Sequence, residues 1–316
     1  MQRWRGSDST PSGWGRCVVT IGVFDGVHRG HQLLVTQAVR RAAELSLPSV
    51  VLTFDPHPSE VIRPGSHPPV LTSPHTKAEL LEALGVDVMC VLPFTADFAK
   101  LGPDAFVHAV IVEQLHASAV VIGDNFRYGR RAAGDVASLA DAGRRFGFTV
   151  EGVPLLGQGP TTWSSTFIRS CVDAGDVTAA GDALGRDHRI DGVVVRGDQR
   201  GREIGYPTAN LEPHPYSAVP ADGVYAGRLI RAVRDVAATG RQVLPAAISI
   251  GTNPTFAGRE RRVEAYVLDF DGDLYGEHVG LSFAARLRDT VRYDGIAPLL
   301  EQMALDVQRT RDLTGG

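Results

Sequence analysis

Two histidines, His28 and His31, stand three residues apart in a glycine-rich segment, residues 22–31. The segment follows an apolar run and precedes a run with helical spacing, so we expect it to join a buried strand to a helix. Near a helix start, side chains at i and i+3 share one face, and the helix N-terminus adds free N–H groups and positive partial charge. Gly22 and Gly30 let the backbone approach a ligand closely. The pattern predicts a cradle for phosphates; the alternative is a glycine-rich turn with surface histidines.

Three further segments of the first half carry groups that could bind a ligand. Residues 53–58 read Thr-Phe-Asp-Pro-His-Pro, and two prolines restrict the shape of that loop. Residues 123–129 combine glycines, an amide, two aromatic rings and an arginine, which suits stacking on a flat ring and holding a phosphate. Residues 164–169 read Ser-Ser-Thr-Phe-Ile-Arg before a helix that ends at Gly175. By themselves the first segment also fits a rigid turn and the third an ordinary N-cap.

A second cluster of polar residues begins with the glycine-rich segment 197–205. After it, Thr208 and Asn210 alternate along an extended stretch, so their side chains share one side. A hydroxyl and an amide oxygen are hard ligands that suit Mg²⁺, with waters and phosphate oxygens completing its shell. The pattern predicts a magnesium site; the alternative is a polar strand entry.

The first half of the chain alternates strand and helix patterns, which predicts a doubly wound parallel sheet. The loops described above then follow the carboxyl ends of strands, where such sheets bind ligands. The predicted strands are 16–22, 49–54, 86–92, 119–123 and 148–153, and the predicted helices are 31–45, 77–84, 104–115 and 136–146.

After about residue 184, strand patterns follow one another without helices between them, which predicts an antiparallel barrel or sandwich. These strands are 189–195, 223–230, 244–250, 262–270 and 278–286, and an amphipathic helix at 296–308 closes the chain. We therefore expect two domains, 1–184 and 185–316, in agreement with a length of 316 residues.

Composition excludes several classes of function. The net charge of −4 does not favour a nucleic-acid partner. Only Lys77 and Lys100 are lysines, and neither follows a glycine, so a Walker P-loop is excluded. Because lysine is so scarce, phosphate binding is expected to use arginine, hydroxyls and backbone N–H groups. Three widely spaced cysteines and the lack of a leader or long apolar run predict a cytoplasmic protein that does not enter a membrane.

The run His28-Arg29-Gly30-His31 resembles the HxGH signature of nucleotidylyltransferases. The longer segment 22–31 is similar to that of the bacterial bifunctional riboflavin kinase/FMN adenylyltransferase (FAD synthetase) family, and the resemblance extends over about residues 16–306. It implies an α/β protein: an N-terminal doubly wound parallel sheet of nucleotidylyltransferase type, then a C-terminal antiparallel β-barrel with a terminal helix.

In the first domain, the resemblance implies that two histidines and an arginine stabilise charge on the phosphates of ATP while the FMN phosphate attacks the α-phosphorus. The catalytic residues would be His28, His31 and Arg169, the ATP and phosphate contacts Gly22, Phe24, Gly30, Ser165 and Thr166, and the flavin contacts Asp55, His57, Asn125 and Arg127. Thr162 departs from the family, which often has a basic residue there.

In the second domain, the segments 251–256, 263–266 and 274–276 also resemble the riboflavin kinase module. The resemblance implies that Glu264 is the general base, that Thr208 and Asn210 hold Mg²⁺, and that three glycines of the arch bind ATP: Gly197, Gly201 and Gly205. Arg196 stands where the family commonly has histidine, and Tyr206 where it commonly has phenylalanine. A strand glutamate taken alone is usually a solvated surface residue.

The expected function is therefore cytoplasmic synthesis of flavin cofactors. The C-terminal domain would phosphorylate riboflavin to FMN, and the N-terminal domain would convert FMN to FAD with release of pyrophosphate. Each step would use ATP and Mg²⁺, and the partners are riboflavin, FMN and ATP, with no nucleic acid and no membrane. Two alternatives are an enzyme in which one of the sites has decayed and a non-catalytic flavin-binding regulator.

Overall fold

The computed structural model describes the chain except residues 7–9, 12, 159–160, 198–200, 202–203, 236–237, 256–257 and 316. The chain forms two compact units, one of residues 1–68 and 74–164, the other of residues 69–73 and 165–316. Among the residues that the structure describes, no helix is long and apolar enough to cross a membrane.

The first unit contains a parallel sheet of six strands in the order β1-β4-β3-β2-β5-β6. The strands are β1 (Gln2–Arg5), β2 (Cys17–Ile21), β3 (Ser49–Asp55), β4 (Val88–Pro93), β5 (Ala117–Gly123) and β6 (Thr149–Val153). All neighbouring pairs are parallel. The order reverses between β2 and β5, which is where doubly wound sheets open a crevice for ligands at the strands' carboxyl ends. The predicted sheet is confirmed, and β1 is an additional edge strand.

Helices connect these strands. They are α1 (Arg29–Leu45), α2 (Pro58–Ile62), α3 (Pro74–Ala83), α4 (Pro103–Phe106), which continues as a π-helical stretch Val107–Gln114, and α5 (Val136–Phe146). In α1 the buried residues Leu34, Val35, Ala38 and Ala42 form one apolar stripe. In α5, Asp135 and Ser138 form a capping box, and Gly147 ends the helix in the left-handed region. The helix predicted at 136–146 is confirmed to the residue.

A short hairpin, β7 (Gly157–Gln158) and β8 (Thr161–Thr162), ends the first unit. The second unit begins with α6 (Ser165–Ala174) and α7 (Val177–Leu184). Residues 69–73 belong to this unit: the Val70 amide donates to the Tyr216 carbonyl at 2.6 Å, and the Ser73 hydroxyl donates to the Asp191 carboxylate at 2.6 Å.

The second unit is built on a closed antiparallel barrel in the order β10-β13-β12-β11-β14-β9. Its strands are β9 (His188–Val195), β10 (Thr208–Pro213), β11 (Gly223–Asp235), β12 (Ala238–Thr255), β13 (Gly258–Val267) and β14 (His278–Arg288). Alternate residues such as Leu211, Ile248, Val263 and Ala265 fill the core. The terminal helix α8 (Ile296–Thr314) buries Asp306, Thr310 and Thr314. The predicted barrel and terminal helix are confirmed.

Candidate functional site

The turn after β2 has an unusual backbone. Phe24 and Val27 have φ angles of 51° and 40°, and Gly26 has 83°. The left-handed region is costly for Phe and Val, so the surrounding structure must hold the turn in place. Phe24 is fully buried, and its ring lies so close to Gly22 that a Cβ atom there would approach it to 3.2 Å. This packing directs the chain from the end of β2 into α1 at the reversal point of the sheet.

The histidine pair lies at the start of α1. His28 is the N-cap residue, and its Nδ1 accepts a hydrogen bond from the His31 amide at 3.3 Å. The two rings stack with centroids 3.6 Å apart and an interplanar angle of 22°. Because Nδ1 of His28 is an acceptor, a neutral His28 ring carries its proton on Nε2 and can donate from that atom. Gly30 keeps this arrangement open, since a Cβ atom there would lie 3.1 Å from the His28 ring.

His31 is held in its uncharged form. Burial, the neighbouring His28 and the positive charge of Lys77 place the pKa of His31 well below its usual range. Its Nδ1 atom is buried and, within the described part of the chain, has no hydrogen-bond partner. An uncharged imidazole beside a helix N-terminus can donate a hydrogen bond to an oxygen of a phosphate chain without a change in its own charge.

Lys77 is a member of this site that sequence reasoning missed. Its ammonium group donates to the Val23 carbonyl at 2.8 Å. Burial lowers the pKa of Lys77, and the carboxylates of Asp25 and Asp55 act in the opposite direction. The lysine lies on α3, 54 positions from Val23 along the chain, so no local spacing indicates it. Phosphate chemistry at this site therefore has a lysine close by, contrary to the expectation from composition.

The four residues expected to contact flavin lie after β3 and β5. Asp55 ends β3 and accepts a hydrogen bond from Arg5 at 2.7 Å. His57 is the N-cap of α2, and its Nδ1 accepts from the Ser59 amide at 3.1 Å. The exposed residues Asn125 and Arg127 lie after β5. The imidazole of His57 thus has a structural task besides any ligand contact.

A connected group of aromatic side chains, which we call the aromatic cluster, lies at the same edge of the sheet. Neighbouring rings are 5.5–6.0 Å apart, mostly edge-on or tilted, and the final two rings stack. The cluster consists of Phe54, Phe94, Phe98, Phe106, Phe126 and Tyr128. Phe106 and Tyr128 are buried, whereas the other rings are partly exposed. Sequence reasoning identified only the two rings after β5, because the rings from β3 and from the segments after β4 approach them only in the folded unit.

The residues of segment 164–169 are divided between the two units. Ser164 ends the first unit, whereas Ser165, Thr166 and Arg169 lie on α6 in the second. The guanidinium Nε of Arg169 donates to the Pro69 carbonyl at 2.7 Å. Thr162, where the family often has a basic residue, lies in β8.

In the barrel, strand register brings the second set of candidates together. Asn210 of β10 lies opposite Glu264 of β13, and Thr208 lies opposite Tyr266. Ala209 and Val263 face the core, so the intervening Thr208, Asn210 and Glu264 lie on the outer face, where all three are partly buried. A carboxylate, an amide and a hydroxyl therefore share one outer patch of the barrel.

One glycine of segment 197–205, Gly197, packs against this patch. A Cβ atom on Gly197 would lie 2.6 Å from Cγ of Asn210, so the Asn210 side chain covers this glycine. The carbonyl of Gly201 accepts from the Tyr206 amide at 2.8 Å, and Gly205 has a φ of 84°. The described part of this segment therefore reaches β10 at Asn210, through Gly197. The other members of the expected arch, Asp198, Gln199, Arg200, Arg202 and Glu203, and Phe256 of segment 251–256, lie outside the described residues.

Aromatic and cationic groups border the patch. Tyr206 and Tyr266 meet edge-on with centroids 5.0 Å apart. The Arg196 guanidinium lies 5.6 Å from the ring centroid of Tyr275. Arg196 and Tyr206, which depart from the family pattern, therefore both have aromatic partners.

The patch has the chemistry of a partial magnesium site. Among the described residues, no cluster of three or more His, Cys, Asp or Glu side chains could hold a metal. Thr208 and Asn210 instead offer neutral oxygen ligands on one face of β10. Such a pair fits an ion that takes most of its ligands from water and phosphate oxygens.

Two family models match successive parts of the chain. Residues 10–167 match the FAD synthetase family model, and residues 184–314 match the riboflavin kinase model. A solved structure from Streptococcus pneumoniae, described as a macrolide-efflux protein, is 32% identical and superposes with a TM-score of 0.87, covering 98% of this chain and 99% of that one.

Curated relatives carry both domains. The Escherichia coli K12 bifunctional riboflavin kinase/FMN adenylyltransferase is 34% identical over 95% of this chain and 93% of its own. The Listeria monocytogenes enzyme of the same description is 37% identical over 93% of this chain and 91% of its own. The chain belongs to the family of bifunctional riboflavin kinase/FMN adenylyltransferases.

Proposed function

We propose that this chain makes FAD from riboflavin in two steps at two separate sites. The outer patch of the barrel phosphorylates riboflavin to FMN, and the histidine site of the first unit adenylylates FMN. The observation that carries the proposal is the presence of two chemically different clusters on two units, each inside the matching family model. We place the functional boundary at residues 184/185.

In adenylyl transfer, a phosphate oxygen of FMN attacks the α-phosphorus of ATP. The new P–O bond forms as the bond between the α-phosphorus and the bridging oxygen breaks, and pyrophosphate leaves with that oxygen. No proton has to move to the enzyme, so catalysis consists of positioning and charge stabilisation. His28 donates from Nε2, His31 lies beside it, and the turn of Gly22, Phe24 and Gly30 brings backbone close to the phosphates.

On the family resemblance alone, we assign further phosphate contacts to Ser165, Thr166 and Arg169 of α6. Ser165 and Thr166 stand in its first turn, where hydroxyls and backbone N–H groups favour anions. Arg169 carries the planar donor fork that matches phosphate oxygens. Together these groups supply the arginine and hydroxyl donors that the scarcity of lysine predicts.

We propose that FMN lies against the aromatic cluster. Its partly exposed rings offer a flat apolar surface at the carboxyl edge of the sheet, which suits an isoalloxazine ring. Asp55, His57 and Asn125 provide polar contacts at the margin of that surface, and Arg127 offers a cation for the FMN phosphate.

In the kinase reaction, Glu264 accepts the proton of the ribityl 5′-hydroxyl as its oxygen attacks the γ-phosphorus of ATP. The bond from the γ-phosphorus to the bridging oxygen breaks, and ADP leaves. The loop of Gly197, Gly201 and Gly205 lets the backbone approach the phosphates. Thr208 and Asn210 would hold Mg²⁺, which would offset phosphate charge in this reaction, and we expect Mg²⁺ to do the same in adenylyl transfer.

We further propose a cytoplasmic location, without nucleic-acid partners. All three cysteines are buried and free, and burial raises the pKa of Cys17 to about 12 and of Cys90 to about 11. Such thiols are unreactive and are compatible with a reducing compartment.

One assay tests the function and both alternatives. The protein is incubated with riboflavin, ATP and Mg²⁺, and the flavins are separated by chromatography. We expect FMN to appear first and FAD to follow. FMN without FAD, even when FMN is supplied directly, would favour an enzyme with one decayed site, for which Thr162 is the most suspect position. No turnover of either flavin would favour a non-catalytic binding protein.

A further inference from the structure

The Val23 carbonyl is fixed from two directions. It accepts one hydrogen bond from the Lys77 ammonium at 2.8 Å and a second from the Thr53 hydroxyl at 3.1 Å. Lys77 lies on α3 and Thr53 on β3, so two different elements hold one peptide group of the turn. That peptide immediately precedes Phe24, whose φ of 51° needs such support.

The ammonium group also places a fixed positive charge in the histidine site. The titratable groups that interact with it are the carboxylates of Asp25 and Asp55 and the imidazole of His31, which in turn stacks on His28. Partial burial of the Lys77 ammonium group costs free energy that an apolar side chain in the same space would not cost. Within the described residues, the Val23 carbonyl is the hydrogen-bond acceptor of that group.

The charge has a direct consequence for His31. Protonation of its ring would put a second N–H on the imidazole, and its buried Nδ1 has no acceptor among the described residues. A neighbouring cation makes that protonation still less favourable. Lys77 thus acts on both the backbone and the protonation state of the site.

We propose that Lys77 is a positioning residue for adenylyl transfer. Its ammonium group holds the Val23 carbonyl and thereby the turn that carries Phe24 and the histidine pair. The same group supplies a fixed positive charge beside His31. This role rests on the proposed assignment of His28 and His31 to the FAD-forming step. It requires no contact between Lys77 and the nucleotide.

Three variants separate the two effects. K77M removes both the hydrogen bond and the charge, K77R keeps the charge, and T53V removes only the other hydrogen bond to Val23. The measurements are kcat and KM for FAD formation from FMN, their pH profiles, and the NMR titration of the His31 ring in the free enzyme. If K77M does not fold, K77Q replaces it as the neutral variant.

We expect K77M to lower kcat for FAD formation about a hundredfold. The His31 titration and the acid limb of the pH profile should both move to higher pH. K77R should keep the wild-type titration and recover most of kcat, and T53V should lower kcat without moving the titration. Riboflavin phosphorylation should remain within about twofold of wild type in all variants, because it uses the other unit.

An unmoved His31 titration in K77M would overturn the proposal. A loss confined to KM for ATP would also overturn it, because it would make Lys77 a nucleotide-binding residue. The H31A variant tests the underlying assignment separately: if H31A still forms FAD at the wild-type rate, the proposed histidine site fails, whatever the Lys77 variants show.

Discussion

At the scale of single residues, the two proposed sites differ in the side chains that would act on the substrate, imidazoles in the one and a carboxyl group in the other. The histidine rings are stacked, and burial keeps the pKa of His31 well below its usual range, which suits a reaction in which no proton passes to the enzyme. Glu264, the proposed base of the kinase reaction, lies partly exposed in the middle of a strand, opposite Asn210. The histidines are recognisable from sequence because they are close neighbours on a strand-to-helix turn, whereas Lys77 reaches the turn from 54 positions away.

His31→Ala is expected to reduce FAD formation from FMN at least about a hundredfold, because it removes a proposed phosphate donor and the stacking partner of His28. FMN formation from riboflavin should stay at the wild-type rate. The matched control is His108→Ala, since this histidine is 53% exposed and contacts Glu113 rather than the site. Equal losses in the two variants would contradict the assignment.

The lowered pKa of His31 also predicts a pH dependence of stability. Between the unfolded-state value near 6.5 and the lower native value, the unfolded chain binds a proton that the native chain does not. The free energy of unfolding should therefore fall as pH decreases below about 6.5. Urea unfolding at several pH values should show a shallower fall for His31→Gln than for wild type. Parallel pH profiles would argue against a neutral buried His31.

Glu264→Gln is expected to reduce riboflavin phosphorylation at least about a hundredfold, because the amide cannot accept the 5′-hydroxyl proton. FAD formation from supplied FMN should be unchanged. Glu301→Gln, on the exposed side of α8, is the control for loss of one carboxylate. Retention of kinase activity in the Glu264 variant would show that another group is the base.

At the scale of elements, the predicted sheet, barrel and terminal helix are all present, but some pieces could not be anticipated. The edge strand β1 was missed because only Trp4 is buried within it, so it lacks a strand-like apolar pattern. The strand at 16–22 was predictable because all residues of β2 are buried. The partners within the aromatic cluster depend on the strand order, which periodicity does not encode.

The contact between Gly197 and the Asn210 side chain makes a specific element-scale prediction. A methyl group at Gly197 would lie 2.7 Å from the Asn210 Oδ1 atom and would displace this proposed magnesium ligand. Gly197→Ala should therefore raise KM for ATP in the kinase reaction by about tenfold. Gly240→Ala is the matched control, because a Cβ atom there meets nothing within 4 Å. The same KM in both variants would contradict the proposed role of this loop.

Helix α8 is attached to the barrel by a largely buried ion pair. Asp306, with 5% of its side chain exposed, accepts hydrogen bonds from Arg288 at 2.7–3.1 Å and from Gln302 at 3.0 Å. Asp306→Asn leaves the Arg288 charge without its counterion and should cost about 3 kcal/mol. The readout is the urea midpoint for loss of kinase activity. Asp269→Asn breaks an exposed pair with Arg311 and should leave that midpoint almost unchanged.

At the scale of the whole molecule, the chain joins two activities, and the product of the first, FMN, is the substrate of the second. Their separation into two units explains why composition and periodicity change along the sequence and why each unit matches its own family model. The two compact units divide at residues 164/165, whereas the change from alternating helix and strand patterns to strand patterns alone falls near residue 184. The two positions differ because α6 and α7 are helical like the first half but pack within the second unit. Periodicity reports local structure and does not show which core a helix joins.

The central claim is that two independent catalytic sites operate in one polypeptide, and a mixing experiment tests it most directly. His31→Ala and Glu264→Gln proteins are incubated with riboflavin, ATP and Mg²⁺, first separately and then together, and FAD is measured by chromatography. We predict FMN alone from the first protein, no new flavin from the second, and FAD from the mixture, because FMN made by one chain serves the other. A mixture of folded proteins that makes no FAD, although wild type does, would contradict the claim.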